Sequence, residues 1–236
     1  MKGKLFLIPS TIGDTQVDRV IPVYIKELIK DIRIFIVENE RSVRRMLIKL
    51  GISTPIDEIQ FLILNKHTPH NNIPGFLSSI QNENIGLMSE AGVPAVADPG
   101  SVIVDMAHKK GIRVIPLVGP SSILLAMMAS GLNGQNFAFN GYLAIKHQER
   151  IRQIKNLEQR SESENQSQIF IEAPYRNNQL LKDIINNCSA VTQLCIASEI
   201  TTDKEFINTK SIEEWRTKIP DLHKKPVIYI LHKKNR

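Results

Sequence analysis

IGLMSEAGVPAVADPGSVIVDMAHKKGIRVIPLVGPSS, residues 85–122, decides how the rest of the chain is read. The apolar run Ile85–Met88 has the length of a strand and then stops. Two tight turns follow, Ala91-Gly92-Val93-Pro94 and Asp98-Pro99-Gly100. A helical pattern leads to a second apolar run, Ile112–Val118, which ends in Gly119-Pro120-Ser121-Ser122. In an open α/β sheet, the loops beyond the carboxyl ends of the strands are where ligands bind. Glycine lets the backbone approach a ligand closely, and proline fixes φ and removes a donor. Three such turns after strand-like runs predict a cleft lined by main chain rather than by long side chains.

Upstream, Lys4–Pro9 reads as a first strand that ends in Ser10-Thr11-Ile12-Gly13-Asp14. Val17–Ile29 has helical spacing interrupted by Pro22, so that helix starts late or kinks. Ile32–Val37 is β-branched and apolar, a buried strand ending at Glu38-Asn39-Glu40-Arg41. Val43–Leu50 is a basic amphipathic helix with Gly51 placed to close it. Ile59–Leu64 is a strand, Asn65–Asn72 a polar loop, Ile73–Ile80 a short helix, and Val102–Lys110 a helix closed by Gly111. Strands alternating with helices predict parallel βαβ units.

Downstream, Ser121 or Ser122 caps a helix over Ile123–Ala129, which Gly131 ends. Phe137–Leu143 reads as a strand, Glu149–Arg160 as a charged surface helix, and Ser161–Ser167 as a polar loop. A strand over Gln168–Glu172 ends in Ala173-Pro174, and Tyr175–Asn187 is helical. Val191–Ser198, Glu205–Thr209 and Val227–His232 are further strands, with a short helix over Ile212–Thr217. Two consecutive strands imply a hairpin or a mixed sheet. The expected division is therefore an N-terminal α/β domain over 1–118, mostly parallel, and a C-terminal mixed α/β domain over 119–236.

The chain has 236 residues, 42% hydrophobic and 23% charged, ordinary values for a soluble globular protein. No apolar run approaches the roughly 20 residues that span a bilayer. The run Leu5–Ile8 is too short for a signal-peptide core, so the expected location is the cytoplasm, with no membrane partner. Cys188 and Cys195 lack a histidine at metal-ligand spacing and read as buried free thiols. A formal charge of +6 permits a polyanionic partner without demanding one. No G-x-G-x-x-G follows the first strand, and there is no Walker lysine, H-E-x-x-H or nucleophile elbow.

Six strings occur in order: Pro9–Gly13, SEAGVPAVADPG (Ser89–Gly100), GIRVIPLVGPSS (Gly111–Ser122), SGL (Ser130–Leu132), FAFNGYL (Phe137–Leu143) and IEAPYR (Ile171–Arg176). Together they resemble the tetrapyrrole-methylase superfamily of S-adenosylmethionine (SAM) methyltransferases, over nearly the whole chain. Within it, they are most similar to the bacterial family that methylates the ribose 2′-oxygen of a cytidine in 16S ribosomal RNA of the small subunit. The resemblance implies a two-domain class III methyltransferase fold with SAM in the cleft between the domains, a homodimer, no metal, and ribosomal RNA or the small ribosomal subunit as partner. It implies that Gly92, Val93 and Pro94 approach the SAM tail through backbone groups. Ser121 and Ser122 would offer it hydroxyl and N–H donors, Ala173 and Pro174 would line the adenine, and Ile12 and Gly13 would close the cleft.

The acceptor side departs from the family pattern. Glu38-Asn39-Glu40-Arg41 stands for EDTR, Glu90 for the aspartate of SDAG, and Tyr175 for the histidine of EAPHR. Glu90 reads either as a substrate-orienting or basic carboxylate or as a turn cap. Glu38 and Arg41 read as a helix-start ion pair, or as an acceptor-site pair. Arg176 reads as a clamp for an RNA phosphate, or as an ion pair with Glu172. Glu90, Glu38 and Arg176 are the expected catalytic residues. Arg41, Arg44, Arg45 and Lys49 on one helix face form a candidate phosphate track, and Lys146, Arg150, Arg152 and Lys155 a second. The alternatives are a methyltransferase acting on a tetrapyrrole or other small molecule, and a catalytically idle ribosome-binding homologue.

Overall fold

A computed structural model describes residues 3–65 and 67–234. Lys66, inside the loop expected over Asn65–Asn72, lies outside the described residues. The chain divides between Ser121 and Ser122 into two compact units.

The first unit runs β1 (Leu5–Leu7), α1 (Tyr24–Ile29), β2 (Ile34–Val37), α2 (Glu40–Leu50), β3 (Gln60–Ile63), a 3-10 segment (His70–Gln81), β4 (Ile85–Met88), α3 (Ser101–Lys109) and β5 (Val114–Pro116). Its five strands are all parallel, in the order β3-β2-β4-β1-β5. Both faces of this sheet are covered, which is why its strands are apolar throughout instead of alternating. On one face Phe35, Val37 and Met88 pack with Ile25, Ile29, Val43 and Leu47 of α1 and α2. On the other, Ile34, Ile36, Ile85 and Leu87 pack with Ile73, Leu77, Ile103 and Ala107. Gly86 is the strand partner of Phe35, and a Cβ there would sit 2.7 Å from the Phe35 ring and 2.8 Å from Ile8 Cδ1.

Pro22 delays α1 as expected, with a short 3-10 turn over Val17–Arg19 before it. α2 starts three residues earlier than its apolar spacing indicated. The Asn39 side chain accepts the Ser42 N–H at 3.3 Å and caps the helix, while Gly51 ends it at φ 73°. Because parallel strands share a direction, the loops after β1, β2, β4 and β5 all emerge at one edge of the sheet.

The second unit runs α4 (Ser122–Ser130), β6 (Phe137–Tyr142), α5 (His147–Glu164), β7 (Ser167–Ile171), a 3-10 turn (Pro174–Arg176), α6 (Asn177–Asn187), β8 (Gln193–Ser198), β9 (Phe206–Ser211), α7 (Ile212–Thr217) and β10 (Val227–His232). Its sheet is mixed, in the order β6-β7-β10-β8-β9, with β6 and β7 parallel and the remaining pairs antiparallel. Phe170 and Tyr229 stack at 5.6 Å in its core, and the buried Trp215 indole donates to the Leu194 carbonyl at 2.9 Å. Cys188 and Cys195 are buried free thiols, and burial pushes both above the usual thiol range.

Two expectations for this unit are corrected. Ser161–Ser167 is not a loop: α5 continues to Glu164 and Ser167 already belongs to β7. Ser161 faces inward, fully buried, and its hydroxyl accepts the Lys233 N–H at 2.8 Å. Asn165 turns the chain in a left-handed conformation, φ 48°, as the helix cap. Arg150 is not a surface cation either. It is buried, and its Nε and Nη2 donate to Asp183 Oδ2 at 2.8 and 2.5 Å.

Candidate active site

The loops at the carboxyl edge of the first unit's sheet are held together by main-chain contacts. Beyond β1, the Ser10 N–H donates to the Gly92 carbonyl at 2.8 Å and the Ser10 hydroxyl donates to the Ser89 carbonyl at 2.9 Å. The Ser89 hydroxyl in turn donates to the Ala91 carbonyl at 3.2 Å. Both serines are buried, so these bonds form in place of bonds to water and fix the first loop to the turn after β4. Gly92 adopts φ 70°, and a Cβ there would stand 3.2 Å from the Pro120 carbonyl oxygen. A Cβ on Gly119 would fall 2.1 Å from the Pro9 Cβ. The bends at Pro9–Ser10, Ser89–Gly92 and Gly119–Pro120 therefore converge at backbone distance, and glycine is needed at two of the contacts.

The adjoining turn is wound around one carboxylate. Ala95 and Ala97 have φ values of 66° and 60°, a region that costs an L-residue free energy. Asp98 compensates by accepting the Ala95 N–H at 2.9 Å and the Gly100 N–H at 2.6 Å. Burial nevertheless holds the Asp98 carboxyl above its usual range. Asp98 and Glu38 line a narrow crevice with Leu64, Leu87, Met88 and Pro94. The Glu38 carboxyl is also raised, first by burial and then by the like charges of Asp98 and Glu90, although it accepts the Glu90 N–H. Three carboxylates thus stand in the loops after β2 and β4, and among the described residues no cationic side chain lines the crevice.

Glu38 and Glu90 are brought together, but not in the roles of helix-start pair and turn cap. Among the described residues Glu38 forms no ion pair with Arg41, which points to solvent. Asn39 takes the capping role, and Arg44 takes the acidic partners Glu40 and Asp57 at 2.7 and 3.3 Å. The turn cap is Asp98, while Glu90 is exposed and accepts the Ser42 hydroxyl at 3.3 Å. Ile12, Gly13 and Val93 are half-buried and Pro94 is buried in this unit. Ser121 ends the unit, and Ser122 opens α4 in the next.

Ala173, Pro174 and Arg176 lie in the second unit, at the end of β7. The Arg176 Nε donates to Glu172 Oε1 at 2.9 Å, and the Ala173 N–H donates to the same oxygen at 2.7 Å. The Glu172 side chain is fully buried, and its Oε2 has no hydrogen-bond partner among the described residues. The ion-pair reading of Arg176 is thus realised. Of the first basic track, Arg44 is occupied by Glu40 and Asp57 and lies 5.0 Å from the Phe61 ring, and Lys49 reaches Asp14 at 3.5 Å. The second track loses Arg150 to the core, and Lys146 pairs with Glu149 at 3.4 Å.

Sequence reasoning quoted Asp98, Ser10, Ser89 and Glu172 without assigning them to the site. The signal for Asp98 was its place before Pro99-Gly100, where an aspartate accepts N–H groups of its own turn. No local signal marks Ser10 and Ser89, whose partners come from loops far apart in sequence.

No protein-family model matches the chain. A curated relative from Pasteurella multocida, named ribosomal RNA small subunit methyltransferase I, is 27% identical over 240 residues, covering 99% of this chain and 80% of the relative. A crystal structure of diphthine synthase superposes with a TM-score of 0.71 at 16% identity, over 99% of this chain and 92% of that one. Uroporphyrin-III C-methyltransferase from Thermus thermophilus, complexed with S-adenosyl homocysteine, superposes with a TM-score of 0.56 at 15% identity, over 98% of both chains. The chain has the fold of these methyltransferases.

Proposed function

We propose that this chain is a SAM-dependent methyltransferase that methylates the ribose 2′-oxygen of a cytidine in small-subunit ribosomal RNA. The observation that carries the reading is the junction of three backbone turns at Pro9–Ser10, Ser89–Gly92 and Gly119–Pro120, beside an acidic crevice. Such a site offers carbonyls, N–H groups and carboxylates, and among the described residues no cationic side chain lines the crevice. That donor set suits a ligand with polar ends and a positive centre, as SAM is. The name of the Pasteurella multocida relative supports RNA as the acceptor, and the ligand in the Thermus thermophilus structure supports the cofactor.

When bound, SAM supplies a methyl group made electrophilic by its sulfonium, so the protein's task is chiefly alignment. In this reading Ile12, Gly13, Gly92, Val93, Pro94, Ser121, Ser122, Ala173 and Pro174 hold the cofactor. Ser10 and Ser89 keep the Gly92 carbonyl in place. A ribose hydroxyl is a weak nucleophile, and loss of its proton as the new O–C bond forms lowers the barrier. Glu38 is the residue suited to take that proton. Its carboxyl is half-buried and holds a proton more tightly than an ordinary glutamate, which brings it closer to the acceptor in basicity. Glu90 is the second candidate, and Arg176 binds acceptor phosphate. Ribosomal RNA or the small subunit is the partner, and the working form is a cytoplasmic homodimer.

Mapping of ribose methylation on ribosomal RNA from cells with and without the gene tests this reading. A single cytidine that loses its 2′-O-methyl group supports it, and an unchanged map removes it. Calorimetric titration with SAM separates an active enzyme from an idle homologue.

A further inference from the structure

The ends of β6 and β7 carry two exposed aromatic rings to which the methyl-transfer reading gives no role. Tyr142 is 62% exposed and Tyr175 66% exposed, both large values for an aromatic ring. Each is aimed outward by a specific backbone device. The β6–β7 register shifts between Phe139 and Tyr142, with Gly141 at φ 65°, and this bulge turns Tyr142 to solvent. Tyr175 sits in the 3-10 turn Pro174–Arg176 that breaks β7 from α6. Tyr142 is the strand partner of Ile171, so the bulged strand end and the turn are neighbours.

Arg176 belongs to the same turn. Its guanidinium lies 5.4 Å from the Tyr175 ring centre. Nε and Nη2 are spent on Glu172, whose side chain is wholly buried, so the guanidinium is held still. Among the described residues Nη1 has no hydrogen-bond partner, so it stays available. Exposed aromatic rings beside a fixed guanidinium are the means by which proteins hold unpaired bases: the rings stack on base faces and the cation meets the backbone phosphate.

We propose that Tyr142, Tyr175 and Arg176, the last braced by Glu172, form a stacking platform for an unpaired nucleobase of the RNA substrate. The platform rests on the RNA reading of the previous subsection and adds to it a subsite for a base. Glu172 is a positioning residue here, since it acts only through Arg176. The chemistry favours single-stranded over duplex RNA, because paired bases have no free faces to offer.

The test measures binding of a short fluorescein-labelled single-stranded RNA by anisotropy, with SAM binding followed separately by calorimetry. Tyr175→Ala and Tyr142→Ala should each weaken RNA binding by about tenfold or more. The loss should be the same at low and high salt, because stacking releases no counterions. Tyr175→Phe, which keeps the ring, should recover most of what Tyr175→Ala loses. SAM affinity and melting temperature should match the unmodified protein in both alanine variants. Alanine variants that bind RNA as tightly as the unmodified protein overturn the platform while leaving methyl transfer to RNA standing. An unmodified protein that binds SAM but neither the oligonucleotide nor small subunits overturns the platform and the RNA reading together.

Discussion

Gly119→Ala tests whether the convergence of backbone turns is what holds the cofactor. Gly119 does not occupy the left-handed region, so alanine fits its backbone without strain and only the added methyl matters. That methyl would lie 2.1 Å from the Pro9 Cβ and 2.4 Å from its Cγ. Ordinary carbon contacts begin near 3.5 Å, so the two loops must part by about 1.4 Å. Neither side can yield by rotating a side chain, because one partner is a methyl group and the other a proline ring. The first loop is also tied to the Gly92 carbonyl through the Ser10 N–H, so the displacement is passed to the turn after β4. Overpacking of this kind costs about 1–3 kcal/mol of stability. A displacement of about 1 Å in a positioning loop costs roughly a hundredfold in rate. The assay pairs urea unfolding with SAM calorimetry and methyl transfer. Pro9→Gly removes the opposing atoms, so the double variant should regain part of both losses, with a coupling of about 0.5–3 kcal/mol. Gly111→Ala is the control: at φ 61° with no atom within 4 Å it suffers strain alone, about 1–2 kcal/mol, and leaves SAM affinity intact. Wild-type SAM affinity in Gly119→Ala would refute the reasoning.

Asp98→Ala removes the acceptor for two N–H groups in a turn that already contains two left-handed alanines. It should lower stability by about 1–3 kcal/mol in urea unfolding and loosen SAM binding in the same variant. Arg150→Ala strands the buried Asp183 carboxylate and should cost about 3–5 kcal/mol, whereas Arg150→Met with Asp183→Leu should cost far less, since the pair's desolvation disappears with it. Glu38 supplies a pH test. Its folded-state carboxyl lies above the ordinary value, so the stability conferred by the protonated form is complete below the unfolded value and is lost as pH rises through the folded one. Glu38→Gln should raise the urea midpoint at neutral pH and leave it unchanged in acid, while depressing methyl transfer. A midpoint that falls at neutral pH would contradict the account in which burial, and then like charge, raises this carboxyl.

The parallel sheet was legible because its signal is local. Four to six apolar residues ended by glycine, proline or a polar turn are enough to place β2 and β4, and Gly51 and Gly111 mark the ends of α2 and α3. What escaped reading depended on partners distant in sequence. SESENQS has a loop's composition, yet its first serine packs under the end of β10, and one inward-facing position per turn suffices to carry the helix onward. Arg150 looks like any cation on a charged helix until Asp183, on another helix, is placed against it. The site divides in the same way. The glycine turns were evident, whereas the opposition of Glu38, Glu90 and Asp98 became evident only once β2 and β4 were neighbours. Arg176 was ambiguous because Glu172 sits one helical turn before it, a spacing that serves a structural pair and a braced ligand clamp equally well.

β10 is made after the two strands it pairs with, and it occupies the middle of its sheet, between β7 and β8. Until it slots in, the facing edges of those two strands offer unsatisfied amides, and Phe170 lacks the tyrosine that stacks on it. The first sheet has no such dependence, since every strand it needs precedes Ser121. Synthesis therefore produces a half that has all its strands while the other is still an open-edged intermediate. A chain that stops before position 227 keeps that edge open and is primed to self-associate.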